Sequence, residues 1–112
     1  MSQITTHVLD TSIGKPAYGI TIKLFEFIGD QWIEKASGIT NKDGRIGNLI
    51  PANDTLTFGT YKMVFDTRHY FEAHKIEVFY PSVEIIFNLH TIEHYHIPLL
   101  LNPFGYSTYR GS

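Results

Sequence analysis

The feature that most constrains this chain is its period. Short runs of apolar residues alternate with polar ones and stop at turn formers every ten residues or so. A strand repeats its side-chain direction every second residue and a helix every 3.6, so such runs bury one face only as strands. In residues 19–28, Ile20, Ile22 and Leu24 fall on one face, with Thr21 and Lys23 on the other. Tyr61, Met63 and Phe65 alternate with Lys62, Val64 and Asp66, and Val83, Ile85, Phe87 and Leu89 resume the pattern after Pro81. Strands are also expected over residues 5–10, 31–37 and 94–101. The pattern predicts an all-β sandwich.

The turns carry their own chemistry. Gly29-Asp30 reads as a two-residue hairpin loop of type II′, with the glycine supplying the positive φ. Residues 11–16 form a cluster of turn formers, and 40–44 form a second tight hairpin turn from which Arg45 emerges. The one helix expected is short, over residues 66–74, a segment with an N-cap candidate and the aromatic pair Tyr70-Phe71. With 43% hydrophobic and 18% charged residues the chain collapses rather than staying disordered, and 112 residues make one domain, 1–112. A domain of this size buries roughly 60 to 70% of its unfolded surface, so oligomerisation would help it.

Several functions are excluded at this level. A net charge of −2, with Lys and Arg scattered singly, gives no footprint for nucleic acid. The absence of Cys removes disulfides, thiolate nucleophiles and Cys-ligated metals. No apolar run approaches the ~20 residues that span a bilayer, and the first residues lack the pattern of a secretion signal, so a cytoplasmic protein without membrane partners is expected. No Gly-rich phosphate loop or G-x-S-x-G elbow occurs either.

What remains for chemistry is histidine and one arginine. On a strand, His94 and His96 share a face while Tyr95, Ile97 and Leu99 take the other. With His7 they could offer three nitrogens to zinc, although an H-x-H pair is more often just polar surface. His69, His74 and His90 carry no spacing signal, and a solvated role is expected for each. Asn41-Lys42-Asp43-Gly44 has the look of part of a calcium loop but lacks a closing Glu, so it reads as a turn that presents Arg45. A guanidinium held there suits an anionic or imide-bearing ligand, and a plain surface arginine is the alternative. The end of the chain, Tyr106-Ser107-Thr108-Tyr109-Arg110-Gly111-Ser112, is rich in tyrosine and hydroxyls and reads as docked rather than frayed.

Three segments together resemble the 5-hydroxyisourate hydrolases of the transthyretin-like family. They are Thr6-His7-Val8-Leu9-Asp10, Thr40-Asn41-Lys42-Asp43-Gly44-Arg45, and His94-Tyr95-His96-Ile97-Pro98-Leu99-Leu100-Leu101 running on to Tyr109-Arg110-Gly111-Ser112. The terminal Y-R-G-S is the sharpest of these, because transthyretin, the hormone carrier of the same fold, lacks both that ending and the histidines. Asn102 and Phe104 depart from the residues more usual in the family, within a hairpin turn. The resemblance implies an eight-stranded transthyretin-type two-sheet sandwich with one short helix, assembled as a homotetramer, a dimer of dimers with sites in the channel between dimers.

The resemblance also implies a reaction: water opens the ring of 5-hydroxyisourate to give 2-oxo-4-hydroxy-4-carboxy-5-ureidoimidazoline in urate degradation, without metal or cofactor. His7, Arg45 and His96 would be catalytic, and His7, Arg45, Tyr109 and Ser112 would bind substrate. Histidine titrates near neutrality, so His96 working with His7 can move protons, and Arg45 suits the charge that develops on a carbonyl oxygen. Gly111 is expected to let the tail bend tightly, and a carboxylate at Ser112 to pair with Arg110, Arg45 or a histidine. Two other classes stay open: a non-catalytic carrier of small aromatic ligands, and a zinc hydrolase on His7, His94 and His96.

Overall fold

A computed structural model describes residues 2–111. The alternating runs form β1 (Ile4–Asp10), β2 (Lys15–Pro16), β3 (Thr21–Ile28), β4 (Gln31–Ile39), β5 (Gly59–Phe65), β6 (Val83–Leu89), β7 (Tyr95–Asn102) and β8 (Gly105–Thr108), with helix α1 (Thr67–Ala73) between β5 and β6. They make two four-stranded sheets, ordered β2-β1-β7-β8 and β4-β3-β5-β6. All pairs are antiparallel except β1 with β7. This is the expected all-β, eight-stranded sandwich with one short helix.

The period of two decides what is buried. Ile22 and Leu24 of β3, Tyr61, Met63 and Phe65 of β5, and Ile4, Val8 and Leu99 of the facing sheet are fully buried between the layers. Each such side chain contributes roughly 1.5–3 kcal/mol. The opposite phase of β1 and β7 leaves Thr5, His7, Leu9, His96 and Leu100 only half-buried, on the outer face of their sheet. That outer face is where the chemistry collects.

Helix α1 is tied to this sheet by a buried polar contact. Asp66 caps the helix by accepting from the backbone N–H of His69, and Tyr70 and Phe71 face the core. The Tyr70 hydroxyl donates to the buried carboxylate of Asp10 at 2.7 Å, and the N–H of Ser12 donates to its other oxygen. Burial, then Asp10, pushes the Tyr70 phenol well above its ordinary value, so it stays a donor. Among the described residues no buried side-chain polar atom lacks a partner.

Three local expectations are corrected. Gly29 and Asp30 both take positive φ, 55° and 62°, so the β3–β4 loop is type I′ rather than II′. Asp tolerates the left-handed region because its short side chain bonds locally. Lys15-Pro16, read as part of a turn cluster, instead pairs with Leu9 and Asp10 as β2. The 40–44 turn does not close a hairpin: it carries the chain from β4 to β1, where Arg45 bridges His7.

Candidate active site

Arg45 is delivered by a turn whose polar side chain is spent on the backbone. Asn41 Oδ1 accepts from the N–H groups of Asp43 at 2.9 Å and Arg45 at 3.1 Å, so the fragment resembling a calcium loop is an Asx turn. Gly44, at φ 74°, donates to Asn41, and its carbonyl accepts from Val8 N at 2.9 Å. A Cβ at Gly44 would collide with the Val8 carbonyl oxygen and lie 3.3 Å from the His7 ring. Only glycine lets the turn lie flush on β1. The next residue, Arg45, then forms an antiparallel bridge with His7 and is exposed.

His96 arrives from the other side. In the parallel β1–β7 pair, Thr5 is the register partner of His96, and His7 that of Pro98. Thr5 Oγ1 lies 2.8 Å from His96 Nδ1 and 2.7 Å from His94 Nε2. The two imidazoles are near-parallel, with centroids 6.3 Å apart and planes at 28°. His94 stands just before β7 rather than on it. The expected sharing of a face holds, but these nitrogens turn to one hydroxyl. No three His, Cys, Asp or Glu side chains among the described residues are grouped to hold a metal.

The tail is docked, through a broken ladder. Proline has no N–H to donate, and the β7–β8 pairing stops at Leu99 with Thr108, just short of Pro98. The register resumes at His96 with Gly111, where Gly111 N donates to the His96 carbonyl at 2.7 Å. Thr108 Oγ1 meanwhile donates to Pro98 O at 2.7 Å. A Cβ on Gly111 would sit 2.7 Å from His96 Cδ2. Gly111 is therefore needed because it has no side chain, not for the tight bend expected of it.

Burial and neighbouring charge both favour the neutral form of the two histidines. His96 is lowered below the ordinary 6.5 by burial first, then by Arg45, His94 and His7. His7 is lowered by burial and then Arg45, with Asp43 opposing. A neutral imidazole keeps one nitrogen lone pair, and the adjacent guanidinium offers only donors. Together these can take a proton from water and receive negative charge on oxygen.

The expected residues are thus partly assembled. His7, Arg45 and His96 come together, and Gly111 packs on His96. Tyr109 does not join them within one chain: it is 60% exposed and borders a cavity of about 390 Å³ with Ile85, Phe87, Tyr95 and Ile97. Arg110 pairs with Glu93 at 3.1 Å and lies over the Tyr95 ring at 4.3 Å. Ser112 lies outside the described residues. Thr5 was missed, although its place two residues before His7 puts it on the same face. Elsewhere, His69 bonds Asp66, His74 bonds the Tyr70 carbonyl, and His90 is exposed.

Known proteins share this frame. The sea bream transthyretin structure, in complex with thyroxine, superimposes with a TM-score of 0.91 at 31% identity, covering 97% of this chain and 94% of that one. The Klebsiella pneumoniae 5-hydroxyisourate hydrolase gives 0.86 at 35%, covering 99% and 100%. Backbone likeness alone leans slightly to the transthyretin and identity slightly to the hydrolase, so the fold does not separate the two. The 5-hydroxyisourate hydrolase of Mus musculus is 44% identical, over 99% of this chain and 96% of its own. The model of the HIUase/Transthyretin family matches residues 4–111, and the chain belongs to that family.

Proposed function

We propose that this protein is the hydrolase of the family: it opens the ring of 5-hydroxyisourate with water to give 2-oxo-4-hydroxy-4-carboxy-5-ureidoimidazoline. The observation that carries the reading is that Arg45 bridges His7 while the β1–β7 register brings His96 beside Thr5, on the same face as His7, a set that can run acid–base chemistry on an amide. It agrees with the activity named for the mouse, Salmonella and rhizobial relatives at 40 to 44% identity. In this mechanism His96 accepts a proton from water as its oxygen bonds the ring carbonyl carbon. Arg45 stabilises the oxyanion. The C–N bond then breaks, the leaving nitrogen takes the proton, and a carboxylate and a ureido group result; His7 helps to pass the proton.

The carrier reading is tested by adding the protein to freshly generated 5-hydroxyisourate: accelerated consumption is expected, whereas binding without consumption would favour a carrier. The pH dependence follows from the signs of the shifts. Lowered pKa values keep both imidazoles neutral to more acidic pH, so NMR titration of His7 and His96 should give midpoints below 6.5. Arg45→Gln removes a positive neighbour and should raise both. Midpoints that stay put in that variant would remove Arg45 from the site's electrostatics.

The reading takes residues 1–112 as one transthyretin-like domain working in the cytoplasm as a homotetramer, a dimer of dimers. No helix among the described residues is long and apolar enough to cross a membrane. Two features support association: the edge strands β6 and β8, and exposed Ile86, Phe104 and Tyr106 at 60%, 68% and 43%. Tyr109 and Ser112 would then bind substrate from the dimer channel. Light scattering should give four times the chain mass, and a stable, fully active monomer would contradict the assembly.

A further inference from the structure

Thr5 touches both histidines of the H-x-H pair, and a hydroxyl has one hydrogen for two neighbours. If that hydrogen went to His96 Nδ1, the ring's own proton would sit on Nε2 and block it as a base. If instead it goes to His94 Nε2, the Thr5 oxygen accepts Nδ1–H from His96, and Nε2 keeps its lone pair. Only the second arrangement leaves His96 a free lone pair on Nε2, which the hydrolase reading requires of its base. We propose that Thr5 is a positioning residue that holds His96 as the Nδ1–H tautomer, with His94 taking the threonine hydrogen and Nε2 left to receive the proton of water.

The placement is rigid. Thr5 and His96 are register partners in the β1–β7 pair, and a β-branched side chain has few χ1 choices. The role rests on the hydrolase reading, in which His96 is the base. When Nε2 takes the water proton, the imidazolium keeps its Nδ1–H on the Thr5 oxygen, and the proton on Nε2 later passes to the leaving nitrogen of the substrate. Thr5 itself neither gains nor loses a proton. Among the described residues, the charged or titratable groups that act on His96 are Arg45, His94 and His7, and none of these is a carboxylate.

The test is nitrogen-15 NMR of the histidine rings in the resting protein, joined to steady-state kinetics for Thr5→Val and Thr5→Ser. Wild type and Thr5→Ser should show His96 protonated on Nδ1 and similar kcat. Thr5→Val should move the proton to Nε2 and lower kcat by about 10- to 100-fold, the range seen when the orienting partner of a metal-bound imidazole is lost, with KM little changed. Wild-type His96 protonated on Nε2, or wild-type turnover in Thr5→Val, would overturn the proposal and leave the hydrolase reading standing. A wild-type protein inert toward 5-hydroxyisourate would instead overturn the hydrolase reading, on which this role depends.

Discussion

Replacing His96 or His7 with alanine should lower hydrolysis by roughly two to four powers of ten, the usual worth of a positioned proton-transfer group. Arg45→Ala should lose about 10²- to 10³-fold, as removal of an oxyanion donor does. All three should fold normally, because none belongs to the buried core and the outer face of their sheet is only half-covered. His94→Ala should lose far less than His96→Ala, at most the roughly 10- to 100-fold expected of Thr5→Val, because it frees the hydroxyl hydrogen that sets the His96 tautomer but leaves His96 itself in place. Circular dichroism and kinetics on the four variants decide the matter. If His94 proved as costly as His96, the pair would be acting as joint ligands, and the metal reading would gain.

The second large effect is expected at the tail. Deleting residues 109–112 removes the backbone bond from Gly111 to the His96 carbonyl and the proposed contacts of Tyr109 and Ser112. Turnover should be abolished, with little loss of thermal stability, since Tyr109 and Arg110 are exposed and the ion pair of Arg110 with Glu93 is a surface one worth under about 1 kcal/mol. A subtler variant separates packing from deletion. In Gly111→Ala the new methyl would stand 2.7 Å from His96 Cδ2, so either the ring or the tail must move. Activity should fall at least about tenfold, the scale of a misplaced reacting group. Wild-type turnover in the truncated protein would show that the tail lies outside the site.

The parts of this structure that were readable in advance are those a period of two can express. Ile20, Ile22 and Leu24, and likewise Tyr61, Met63 and Phe65, announce their face locally and are fully buried. Strand β2 announces nothing, because two residues become a strand only when a neighbour supplies the ladder. The contact of Thr5 with His96 spans 91 residues of sequence and depends on the parallel β1–β7 register, which no local signal contains. Gly111 was noticed for the wrong property, since the closeness of a ring from another strand is invisible along the chain. The neighbourhood of His7, Arg45 and His96 came from resemblance. Its physical cause, a glycine turn lying flush on β1, emerges only in three dimensions.

The central claim is that this chain hydrolyses 5-hydroxyisourate through histidines and an arginine. Its most direct test is the turnover of freshly generated 5-hydroxyisourate by exhaustively chelated protein whose metal content has been measured. The expected result is full activity, well above the uncatalysed rate, with substoichiometric metal. Activity that disappears on chelation and returns with zinc would contradict the account, as would a protein that binds the compound and leaves it intact.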